Sequence, residues 1–210
     1  MILRGNIYSS FLKMDTGITI LSPNAVEESG AYKVVYLLHG LYGDHESWVN
    51  NTMLPVYAND YDAVFVMPEA GRSYYTDMKY GYPYFSYLTE ELPKIVKSIF
   101  NISSKREDTI VIGGSMGGYG ALKCALNYPW KYGVCCALSA ACLFLGESLE
   151  KANQSGVLDC NDFKIIFGDT LTSVSYTHLF YETVPQRLSA LFAFFERSGG
   201  TTAEAGSYKK

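Results

Sequence analysis

Charge is scarce in this chain. Of 210 residues only 18% are Asp, Glu, Lys or Arg, 17 of them basic against 21 acidic, for a net −4. No Lys/Arg run breaks that balance, which excludes the clustered basic face of a nucleic-acid binder. Long apolar runs are missing too. None reaches the roughly 18 residues of a membrane helix. The first residues, Met1 to Gly5, lack the basic-then-apolar order of a secretory signal. Histidine is nearly absent, with three (His39, His45, His178), and the cysteines show no short paired spacing of the kind zinc needs. The five cysteines are odd in number and sit mostly in apolar runs, so they read as reduced packing residues of a cytoplasmic protein. What is abundant is apolar surface, 48% of residues, which is ample for a buried core, and 18 tyrosines.

The apolar residues alternate in kind along the chain. Two short strands are expected near Tyr8 to Leu12 and Gly17 to Leu21, joined through Met14-Asp15-Thr16. Residues 26–32 read as a loop. Lys33 to Leu38, Ala63 to Met67, Thr109 to Ile112 and Gly133 to Leu138 are short continuous apolar runs, the mark of strands buried on both faces. Between them helices are expected over Trp48 to Tyr57, over the spaced positions Leu88, Leu92, Ile95, Val96 and Ile99, and beyond Gly118. Buried strands alternating with helices indicate an α/β fold with a mostly parallel sheet, here with an antiparallel start. Ser198 to Lys210, small and polar, is expected to be disordered.

One motif carries chemistry. Gly113-Gly114-Ser115-Met116-Gly117 lies directly after a buried strand and directly before a helix, the setting a G-x-S-x-G nucleophile elbow requires. A strand that reverses sharply into a helix leaves Ser115 at a strained apex, and side chains at 113 and 117 would collide with neighbouring chain. A phosphate loop fails on spacing, because Tyr119 follows Gly118 where Lys-Ser/Thr is needed. The tetrahedral intermediate of acyl transfer needs two backbone N–H donors. Met116, after the nucleophile, supplies one, and Leu41, in His39-Gly40-Leu41-Tyr42-Gly43 after the third strand, supplies the other. His39 and His45 precede the elbow and read as loop braces, not as the base.

Further residues extend the likeness. Tyr36 to Gly40 with Trp48, Tyr75-Thr76-Asp77, Glu90 to Pro93, and Gly114 to Ala121 resemble, in order over about residues 1–170, the esterase family of α/β-hydrolases. That family contains the S-formylglutathione hydrolases and the bacterial tributyrin esterases. The resemblance implies an α/β-hydrolase fold, hydrolysis of short-chain acyl esters by Ser115 through an acyl-serine, an oxyanion hole at Leu41 and Met116, and neither metal nor organic cofactor. The expected partner is a small ester, with a homo-oligomer allowed and neither nucleic acid nor membrane involved. The aromatic stretch Ser73 to Tyr87 suits either a substrate-facing loop or cover for a sheet edge or subunit contact. Tyr42 and Tyr82 are the candidate substrate contacts.

The likeness fails at the C-terminus. A hydrolase of this fold needs an acid and then a histidine after the serine. His178 is the sole histidine there, with Glu147, Glu150, Asp159, Asp162 and Asp169 as acids. Asp169 lies too close in sequence to His178 for a strand to separate two sheet-end loops. Val174 to Leu179 reads like the translated end of a transposon used in making sequencing libraries. The expectation is therefore a hydrolase core over 1–170, C-terminally incomplete, and a foreign tail over 171–210. The alternatives to an esterase are a non-catalytic hydrolase-like binding module and an acyltransferase on the same fold.

Overall fold

The computed structural model describes residues 1–23, 30–141 and 160–168. The chain opens with a hairpin, β1 (Ile2–Ser9) and β2 (Met14–Leu21), paired antiparallel with Ser9 opposite Met14. The turn is residues 10–13, closed by Lys13 at φ +56°. It precedes the expected link at 14–16, and Phe11 and Leu12 belong to the turn. Leu12 looks like strand because it is apolar and fully buried, but it reaches the core from the turn. Glu91, far along the chain, holds this turn by accepting from Ser10 N–H at 2.7 Å, from Ser10 Oγ at 2.6 Å and from Ser9 Oγ.

β3 (Lys33–Leu38), β4 (Ala63–Pro68), β5 (Thr109–Gly114) and β6 (Val134–Leu138) follow the expected runs. Among the described residues the sheet order is β1-β2-β4-β3-β5-β6, with β2 antiparallel to β4 and the last four strands parallel. The helix expected over 48–57 is two short ones, α1 (Ser47–Asn50) and α2 (Leu54–Tyr57), with Pro55 in the first turn of the second. Proline lacks an N–H and suits a helix start, so it divides the stretch. The next helical stretch begins earlier than its apolar spacing suggests. α3 (Tyr84–Ser86) runs through a π-helical segment at Tyr87–Glu91 into α4 (Leu92–Ile99). α5 (Met116–Asn127) follows β5 directly, and α6 (Cys160–Phe167) is the last described element.

Alternate strand residues sort the core into two layers, as period-2 geometry demands. Val34, Tyr36, Leu38, Val64, Val66 and Val111 pack with α4 and α5, while Val35, Leu37, Phe65 and Met67 pack with the α1–α2 segment. β6 departs from expectation. Only Cys135 of it is buried and Leu138 is 48% exposed, because β6 is the sheet edge among the described residues. No described helix is long and apolar enough to cross a membrane. The loop at 24–29, the acids Glu147, Glu150, Asp159 and Asp169, His178 and the tail 171–210 lie outside the described residues.

Candidate active site

β5 ends at Gly114 and α5 begins at Met116, so Ser115 is the single residue of the turn. Its backbone stands at φ +54°, ψ −116°, a conformation that costs an L-residue on the order of 1–3 kcal/mol. The surroundings hold it there. Ser115 N–H donates to Leu138 O at 2.9 Å, and its carbonyl accepts from Tyr119 N–H at 3.1 Å and Ala141 N–H at 3.0 Å. The residue is exposed at the C-terminal end of the parallel strands, and no described residue hydrogen-bonds its Oγ.

Two glycines are required by crowding. A Cβ on Gly117 would lie 2.1 Å from Leu38 O, at the end of β3. One on Gly113 would lie 2.1 Å from Gly117 O, so that collision is within the turn itself. The loop after β3 lies directly against the serine, since a Cβ on Gly40 would sit 3.7 Å from Ser115 Cβ. Leu41 and Met116 turn their side chains into the core, 9% and 0% exposed. Met116 is the first residue of α5, where an N–H has no intrahelical acceptor and the helix dipole favours negative charge.

Both described histidines are committed elsewhere. His39 is buried, its Nδ1 lying 2.8 Å from Gly40 O and its Nε2 3.1 Å from Ala70 N–H. Nδ1 therefore donates to Gly40 O, and Nε2 stands between the Ala70 N–H and, at 3.4 Å, the Glu69 carboxylate. His45 pairs Nδ1 with Thr19 Oγ1 at 2.9 Å. Of the candidate acids, Asp162 is described and is engaged by Arg72, at 2.7 Å from Nε and 2.6 Å from the guanidinium.

The aromatic stretch divides between its two readings. Tyr74, Tyr75 and Tyr87 are core residues, 2%, 0% and 1% exposed. Tyr82, 48% exposed, lines a groove of about 340 Å3 with Arg72, Met78, Tyr84, Asp162 and Ile166. Tyr42 is 78% exposed, with the Arg72 guanidinium 5.5 Å from its ring centre. Two residues that motif reading passes over, Glu69 and Arg72, stand just beyond the C-terminal end of β4. The available signal is position, because in open α/β sheets polar residues beyond the carboxyl ends of strands gather at the site. Glu69 accepts from Gly71 N–H at 2.7 Å and from Ala70 and His45 N–H, each at 3.1 Å, and lies 3.4 Å from His39 Nε2. Burial alone would raise its carboxyl. The His39 ring and the Gly71 and His45 N–H groups outweigh that and bring it down to about 2.

Residues 9–157 match the family described as "Putative esterase". An acetyl esterase of Caldicellulosiruptor saccharolyticus is 29% identical, the match covering 80% of this chain and 67% of that enzyme. An S-formylglutathione hydrolase of Bos taurus is 30% identical, covering 58% and 50%. The chain thus spans about half to two thirds of the length of these curated relatives. Among solved structures, the fluorophosphonate-binding serine hydrolase F (FphF) of Staphylococcus aureus superposes with a TM-score of 0.71 at 27% identity, over 95% of this chain and 87% of that one. The S-formylglutathione hydrolase FrmB of the same organism gives 0.67 at 30%, over 80% and 66%. The family match covers well over half of the chain, and the chain belongs to this esterase family of α/β-hydrolases.

Proposed function

We propose that this is a serine carboxylesterase for short-chain acyl esters, with Ser115 as nucleophile. The observation that carries the reading is Ser115 at φ +54° on the β5–α5 turn, with the Gly40 loop in van der Waals reach of it. Ser115 Oγ attacks the ester carbonyl, and the oxyanion is held by the N–H groups of Leu41 and Met116. The alcohol leaves, and water then releases the acid from the acyl-serine. The relatives named acetyl esterase and S-formylglutathione hydrolase support small acyl groups. Tyr42 and Tyr82 contact the alcohol part of the ester.

The base is the weak half of the site. His39 and His45 are engaged, which leaves His178, and we assign residues 171–210 as a foreign tail replacing the native end. A site lacking one triad member keeps about 10³ to 10⁴ over water, from the oxyanion hole and binding. An activated fluorophosphonate, whose fluoride leaves without a proton, should label the wild type over hours and leave Ser115→Ala unlabelled. Labelling that persists in Ser115→Ala refutes the nucleophile. Hydrolysis of p-nitrophenyl acetate should stand barely above background and be unchanged in His178→Ala. Robust turnover abolished by His178→Ala would make that histidine the base and the tail native.

A further inference from the structure

We propose that Glu69 is the positioning residue of the oxyanion loop, one carboxylate gripping both ends of the His39–His45 segment and so setting where the Leu41 N–H points. The inference rests on the esterase reading above. At the near end, Glu69 Oε1 shares the Ala70 N–H with His39 Nε2, each at 3.1 Å, and stands 3.4 Å from that nitrogen. The other ring nitrogen donates to Gly40 O at 2.8 Å. At the far end, Oε2 accepts the His45 N–H at 3.1 Å. Leu41 lies between the two grips, in a turn closed by Gly43 N–H on Gly40 O at 3.0 Å.

Glu69 is itself anchored. Its N–H donates to Gly17 O on β2 at 3.0 Å, and its Oε1 takes the Gly71 N–H at 2.7 Å. From the other side Tyr75 Oη donates to His39 O at 3.0 Å. Tyr74 and Tyr75 both stand at positive φ, +51° and +50°, and both are buried, so packing holds a strained pair in order to place that hydroxyl. A half-buried charge is a costly way to fill space. Here it satisfies three backbone N–H groups from the two loops that follow β3 and β4, an arrangement no neutral side chain reproduces in full. Glu69 does not touch the reacting atoms, and its role runs through the loop.

The test uses the full chain at a temperature where circular dichroism reports it folded. Glu69→Ala should lower the second-order rate of fluorophosphonate labelling about 10- to 100-fold, the scale of a misplaced donor. It should also speed hydrogen exchange at the Gly43 amide, which Glu69 does not contact. Glu69→Gln, which keeps one carbonyl acceptor and loses the other, should fall between. Glu69→Ala that labels at the wild-type rate, or that leaves Gly43 exchange unchanged, overturns the proposal. Should Ser115→Ala label as the wild type does, the nucleophile assignment fails, while Gly43 exchange still decides the grip.

Discussion

Adding one methyl group at Gly117 tests the geometry of the site most directly. A Cβ there would meet Leu38 O at 2.1 Å, Leu38 C at 2.6 Å and His39 O at 2.7 Å. All three atoms are backbone, at the end of β3 and the start of the oxyanion loop, so none can swing aside. Restoring an ordinary carbon–oxygen contact of roughly 3.5 Å requires a displacement of about 1.4 Å between α5 and β3. Alanine's better helix propensity returns at most about 1 kcal/mol, while overpacking of this kind costs typically about 1–3 kcal/mol. The net expectation is a loss of about 1–2 kcal/mol, or a few degrees in melting temperature for a chain of this size. The effect on chemistry is larger, because about 1 Å of misplacement between nucleophile and oxyanion donors costs on the order of 10² in rate. Gly114→Ala is the internal control. It is one residue from the serine, yet its Cβ would meet nothing within 4 Å and its φ is not positive. Melting by circular dichroism and fluorophosphonate labelling of both variants decide the matter. If Gly117→Ala melts and labels like the wild type, or Gly114→Ala suffers equally, the crowding account of this elbow is wrong.

Three further outcomes follow from particular side chains. Lys123 donates to Thr76 Oγ1 at 2.8 Å and lies 4.6 Å from the Phe85 ring centre, and burial brings its ammonium down to about 8. The unfolded chain therefore holds the extra proton between pH 8 and about 10.5, and stability should rise across that window. Lys123→Met should gain melting temperature at pH 7 and lose that advantage by pH 10.5; an advantage constant with pH refutes the assignment. Burial pushes the Cys124 and Cys135 thiols up to about 12, so iodoacetamide at pH 8 should modify them only after denaturation, by mass spectrometry of the digested protein. Modification of either in the folded protein refutes it. Asp162 is spoken for by Arg72, so Asp162→Asn should change fluorophosphonate labelling less than threefold, whereas a catalytic acid would lose far more.

Much of the fold was legible because its signals are local. Lys33–Leu38 and Thr109–Gly114 are apolar without alternation, as strands covered on both faces must be, and the helical spacing through Leu92 and Val96 marks the face that meets them. The elbow was legible for the same reason: strand, glycines, serine and helix lie within a dozen residues, and sterics alone dictate their order. The errors fell where the deciding partner is distant. Leu12 reads as strand until Glu91 is seen closing the turn before it. Gly133 to Leu138 reads as interior, yet among the described residues it stands at the sheet edge. The aromatic stretch Ser73 to Tyr87 leaves two readings open until packing buries Tyr74 and Tyr75.

By itself, then, the sequence determined the strand order in time, the nucleophile candidate and the loop that faces it. Only the tertiary structure decided that β4 lies between β2 and β3 and brings Glu69 against His39 and His45. The reason is range. Hydrophobic periodicity and backbone sterics act between near neighbours in the chain. A carboxylate's hydrogen bonds across dozens of residues depend on which strand ends the sheet sets side by side.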